Sequence, residues 1–206
     1  MENVNKYSSE IIERIASFFE MSLSQDAVPI DLLMGRLACS EVFESLERGE
    51  IADLLADTAG DLFKRVFHAA ELPNQYVSDS IYYWIGESYA RIFLSVGASL
   101  FRISLLLPIR EMKDLFLPYH EMDPERIIEL YLKREHERSV LECLKKKRGI
   151  SYIKIVQQTG ISKTTLFRMK NNESLNRIGL EEANKLSHVL DCPTRSFLSR
   201  VLILDK

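Results

Sequence analysis

Apolar residues return every three or four positions along almost the whole chain, the mark of amphipathic helices rather than strands. Ile11, Ile12, Ile15, Phe18, Phe19 and Leu23 keep this spacing, with Glu10, Glu13, Arg14 and Glu20 between them, and predict a helix over 7–22. Pro29 opens a second helix, and the period over 30–46 continues until Gly49, a plausible stop after Glu47-Arg48. Shorter amphipathic helices are expected over 51–56 and 57–70, the latter with Leu62, Phe63, Val66 and Phe67 inward, before Pro73-Asn74 breaks the pattern.

Ser78 or Asp79 then caps a long helix that carries Tyr82, Tyr83, Trp84, Tyr89 and Phe93. Its hydrophobic residues lie nearly all round, which predicts a buried central helix. Pro108 starts another helix over 109–116, and Pro118 ends it. Asp123-Pro124-Glu125 reads as an N-cap, a first-position proline and a first-turn acid. The charged helix that follows runs through Leu130 and Leu132 into 133–138, where apolar periodicity fades and charge density peaks. This stretch is the expected boundary between two domains, 1–135 and 136–206. Only 200–205 has strand-like composition.

Beyond the boundary the elements become short and sharply punctuated. A helix over 139–148 ends in Lys145-Lys146-Lys147-Arg148 and stops at Gly149. Ser151 caps a helix over 152–159, Gly160 turns, Ile161 is buried, and Ser162 caps a helix over 163–170 with Leu166 and Met169 inward. Further helices are expected over 179–190 and 194–201. Two short helices across a glycine turn form a helix-turn-helix pattern. The second begins with the slender residues Lys163, Thr164 and Thr165, so its N-terminus fits a major groove about 12 Å wide. Its dipole presents a positive end to phosphate. Arg168, Asn171 and Asn172 stand where backbone contacts are expected.

Charge sharpens this picture. The formal net charge is −3 and the isoelectric point near 5.9, which for a whole chain argues against nucleic-acid binding. The charge is unevenly spread, however. Residues 133–206 hold 16 Lys and Arg against 8 Asp and Glu, while 1–132 hold 11 against 22. An acidic part is joined to a basic part, and the basic part coincides with the helix-turn-helix.

Gly149 to Asn172, centred on Thr159-Gly160-Ile161-Ser162-Lys163-Thr164-Thr165-Leu166, resembles the lambda-repressor-like, Cro/CI-type (XRE) helix-turn-helix family. Leu180-Glu181-Glu182-Ala183, with Leu186-Ser187 and Asp191 beyond it, is similar to that family's fourth helix. The resemblance covers about 139–200. It implies a C-terminal five-helix lambda-repressor-like domain, and with the helical periodicity and acidity of the rest the expected fold is all-α, an acidic N-terminal helical bundle followed by that domain. The resemblance also implies that Ser162, Lys163, Thr164, Thr165, Phe167 and Arg168 face DNA and that Asn171 meets a phosphate. With Ser151, Tyr152 and Asn172 these make the candidate DNA-binding set. Tyr152 stands where the family commonly has Gln, and Val156 where it has Ala, so the usual brace is not carried over and slightly wider packing is expected. The N-terminal region loosely resembles helical domains of uncharacterised Firmicutes proteins that precede such motifs, some encoded beside toxin-like genes. That likeness rests on Phe43 to Gly49, Tyr83 to Gly86 and Tyr119 to Pro124.

Other chemistry finds little support. Cys39, Cys143 and Cys192 are far apart, form no CxxC, and read as ordinary reduced thiols; no metal or cofactor is expected. His120 and Glu121 are neighbours and would not face one another on a helix. His68 and His188 are lone residues on amphipathic helices, and His136 lies in the charged connector. No signal peptide and no uncharged 18-residue span is seen, so a cytoplasmic chain without a membrane segment is expected. No enzyme is predicted. The leading reading is a bacterial or phage-type transcriptional regulator with a recognition helix over 162–170, binding double-stranded DNA as a homodimer. The rival is an antitoxin-like module whose N-terminal domain binds a partner protein. A weaker third is a small apolar ligand among Tyr82, Tyr83, Trp84, Phe93 and Phe101.

Overall fold

The computed structural model describes residues 7–24, 27–69, 71–73, 79–170 and 178–197. Among these the chain forms thirteen α-helices and one 3-10 turn, and no strand. The N-terminal helices are α1 (Ser8–Leu23), α2 (Ile30–Cys39), α3 (Glu41–Glu47), α4 (Ala52–Ala56), α5 (Ala59–Phe67), α6 (Ser80–Val96), α7 (Leu100–Leu106), α8 (Ile109–Tyr119) and α9 (Glu125–Glu137). The C-terminal ones are α10 (Val140–Arg148), α11 (Tyr152–Thr159), α12 (Lys163–Lys170) and α13 (Leu180–Leu190), followed by the 3-10 turn Thr194–Phe197.

Three expectations need correction. The period over 30–46 does not make one helix. Ser40 adopts an extended ψ of 128°, closing α2 through its N–H to Arg36 O and opening α3 through its carbonyl, which accepts the Glu44 N–H. A one-residue break of this kind leaves the apolar spacing unchanged. Pro118 does not end α8 but lies in its last turn, where its missing N–H removes only one bond near a terminus. The last helix, expected over 194–201, is a 3-10 turn as far as Phe197, and the strand-like 200–205 lies outside the described residues.

The core is built on α6. Gly86 lets α1 come so close that an added Cβ would stand 2.7 Å from Ala16 Cα and 2.7 Å from Phe19 Cβ. Around this contact Phe18 meets Phe43 and Phe67, and Phe19 meets Tyr89 edge-on. Tyr89 is wholly buried and donates its hydroxyl to Leu107 O. The aromatic stripe therefore fills the core, with Trp84 against Phe116 at its edge. No single helix among the described residues is long and apolar enough to cross a membrane; α6 and α7 reach that length only together, across a bend of 112°.

Helix α7 joins the two parts of the chain. All seven of its residues are buried, and it packs on α2, α9 and α10. Arg102 at its centre is 1% exposed. It donates to Glu135 at 2.9 and 3.3 Å and to Ser196 O at 3.2 Å, so one side chain ties α7 to α9 and to the 3-10 turn. Arg138, just past α9, donates to Leu106 O at 2.8 Å and to Glu111 at 2.7 Å. From the basic side Arg195 reaches back to α2 and α3. It donates to Ala38 O at 3.1 Å and lies 2.6 Å from Glu47 Oε2, out of line for a hydrogen bond. Part of the opposite charge on the two ends is thus spent across their own contact.

Candidate nucleic-acid interface

The motif is made by its caps and turns. Gly149 ends α10 at a φ of +62°, and Gly160 ends α11 at +70°. These left-handed values favour a residue without Cβ. Ser151 Oγ accepts the Lys154 N–H at 3.2 Å and so caps α11. At the other end Thr159 Oγ1 donates to Ile155 O at 2.7 Å and accepts the Ile161 N–H at 3.1 Å. The hydroxyl thus holds the turn, and Ile161 drops into the core. Ser162 Oγ then accepts the Thr165 N–H at 3.1 Å and lies 2.9 Å from Thr165 Oγ1, which starts α12. Leu166 and Met169 are buried, and Ser139 Oγ donates to Met169 O at 3.1 Å. The inner stripe of α12 is thereby fixed to the start of α10.

The outer face of α12 stays open. Ser162, Lys163, Thr164, Phe167 and Arg168 are exposed together, and Thr165 is half-buried under its bond to Ser162. Lys163 and Arg168 form no ion pair with any described residue. Ser151 is exposed on α11. Asn171 and Asn172 lie outside the described residues. Helices α11 and α12 pack chiefly on α10 and α13, whereas the contact with the N-terminal helices runs through α10 and the 3-10 turn.

Tyr152 has found another partner in place of the absent Gln brace. Its hydroxyl donates to Glu142 Oε1 at 2.5 Å, and Lys145 Nζ sits 4.4 Å from its ring centre. Burial and the Glu142 carboxylate push the Tyr152 phenol above its ordinary range. Burial alone would raise Glu142, but the Tyr152 hydrogen bond together with Lys145 and Lys170 holds it below the usual carboxylate value. The cluster fastens α11 to α10 and to the end of α12, with Lys170 Nζ 3.7 Å from Glu142. The sequence reading missed it because Glu142 and Tyr152 are ten residues apart, beyond any helical period. The basic run 145–148 is also partly occupied. Lys145 is 3.1 Å from Glu142, and Arg148 donates to Leu190 O and to Asp191 at the end of α13.

Among the described residues no three of His, Cys, Asp and Glu stand together as metal ligands. His120 stacks on Phe116 at 4.4 Å between ring centres, with Nδ1 at 2.9 Å from Phe116 O.

Two short helices across a glycine turn, braced by a helix on either side, define a helix-turn-helix domain. Residues 141–200 match the family model of the Cro/C1-type HTH DNA-binding domain, so the C-terminal third carries a DNA-binding domain of that kind. No curated protein and no solved structure matches the chain.

Proposed function

We propose that the protein is a sequence-specific transcriptional regulator of bacterial or phage type, acting in the cytoplasm as a homodimer. Residues 136–206 form its DNA-binding domain, and 1–135 form a domain for dimerisation, sensing or partner binding. Helix α12 enters the major groove. Lys163, Thr164 and Arg168 reach base edges and neighbouring phosphates. Ser162 and Thr165 set the start of the helix, and Ser151, Tyr152, Asn171 and Asn172 lie along the backbone path.

The observation that carries this reading is the open face of α12. Its two cations lack a partner among the described residues, while many neighbouring cations of the domain are already committed. An unneutralised Lys163 at the helix N-terminus, with Arg168 exposed further along in the last turn, suits a polyanion. The acidic N-terminal domain would be repelled by DNA, and it packs away from α11 and α12. The test is selection of bound duplexes from a random pool by the full-length chain. The expected result is an enriched motif with two-fold symmetry and half-sites about 34 Å apart. An unenriched pool would overturn the sequence-specific reading.

A further inference from the structure

Phe167 is 60% exposed in the middle of α12, and none of its ring contacts falls on a described aromatic residue. It is one residue from the buried stripe of Leu166 and Met169, yet it is not part of the core. A phenyl ring left in water on a helix with two cations that have no ion-pair partner among the described residues calls for an occupant. Lys163 is four residues before it and Thr164 three, so all three share one helical face with Arg168 beside them.

In the major groove this face would meet base edges that are almost entirely hydrogen-bond donors and acceptors. A phenyl ring against those edges removes water from polar groups and returns no hydrogen bond. The exception is the 5-methyl group of thymine, the one apolar group that unmodified DNA presents there. We infer that Phe167 is a specificity-determining residue that reads a thymine methyl in each half-site, and this rests on the proposed placement of α12 in the groove. Lys163 and Arg168 supply the charge complementarity that brings a duplex, rather than an apolar protein surface, to this ring.

The test uses the full-length chain and the duplexes it selects. Each thymine is replaced singly by deoxyuridine, which removes the methyl and keeps the base pair. One thymine per half-site should lose about fourfold in affinity, the value of one buried methyl-sized group. In Phe167→Ala that thymine and deoxyuridine should bind equally, while the salt dependence stays as in the wild type. The melting curve of Phe167→Ala should match the wild type, since the ring is exposed. Selective binding with no thymine–deoxyuridine difference at any position would overturn the inference and leave the DNA-binding reading intact, and so would a difference that survives in Phe167→Ala. A Phe167→Ala chain that melts well below the wild type would place the ring in packing instead. A chain that binds no duplex in a salt-dependent way would overturn the proposed function itself.

Discussion

Replacing Arg102 with Ala removes a side chain that ties α7 to α9 and to the 3-10 turn. Three hydrogen bonds are lost, two to Glu135 and one to Ser196 O. Hydrogen bonds to charged groups contribute about 1.5–3 kcal/mol each, but Glu135 is 24% exposed and keeps a hydroxyl from Tyr131 at 3.3 Å, so water and Tyr131 recover part of the loss. The Ser196 carbonyl and the volume of a large buried side chain are not recovered. The expected cost of Arg102→Ala is therefore about 4 kcal/mol, in line with breaking a buried ion pair by removing one partner. Urea unfolding followed by circular dichroism measures it as a lower midpoint with little change in slope. Replacing both partners at once, Arg102→Met with Glu135→Leu, removes the desolvated charges and keeps apolar volume. That double variant should regain most of the stability, so the two substitutions should be strongly non-additive. A cost below about 1 kcal/mol for Arg102→Ala, or simple additivity in the double variant, would refute the clamp.

Glu47 is 2% exposed, and burial raises its carboxyl from 4.5 to about 7 against the opposing pull of Arg195. A folded pKa above the unfolded one means the contribution is fully present below about pH 4.5 and is lost as pH rises through about 7. The wild type should lose up to about 3 kcal/mol relative to Glu47→Gln between pH 5 and pH 8, read from paired urea midpoints; parallel curves would show that Glu47 stays ionised throughout. Gly86→Ala adds a Cβ 2.7 Å from Ala16 Cα and should lower the thermal midpoint by several degrees despite the better helix propensity of Ala, and an unchanged or raised midpoint would mean the helices are not so close. Cys39 is exposed, whereas burial pushes the Cys192 thiol up to about 12 and raises Cys143. At pH 8 a thiol reagent should therefore find one fast site, at Cys39, and two or three fast sites would contradict this.

The features read best from sequence were those set by local chemistry. Ser151, Gly160 and Ser162 announce caps and a turn within a few residues, and the structure puts Oγ atoms and a left-handed φ at those places. Leu166 and Met169 were legible as buried because helical spacing alone decides them. The break at Ser40, which leaves the period intact, was not legible, and neither was the continuation of α8 through Pro118. Nor were long-range partners. Tyr152 with Glu142, Arg102 with Glu135 and Ser196, and Arg195 with Glu47 join residues from ten to about 150 positions apart, and no sequence period links them. The charge asymmetry was visible as two totals. The structure shows that some of it, through Arg195 and Glu47 and through Lys147 and Asp31, acts within the molecule.

The most direct measurement of the central claim is the affinity of the full-length chain for a selected duplex across a series of salt concentrations. A DNA-binding α12 predicts that log K falls linearly with log salt, by about 0.9 for each phosphate contacted. Substituting Ala for whichever of Lys163 and Arg168 meets a phosphate should reduce that slope by about one per half-site. A flat line for the wild type, or a slope unmoved by both substitutions, would contradict the assignment of this face to DNA.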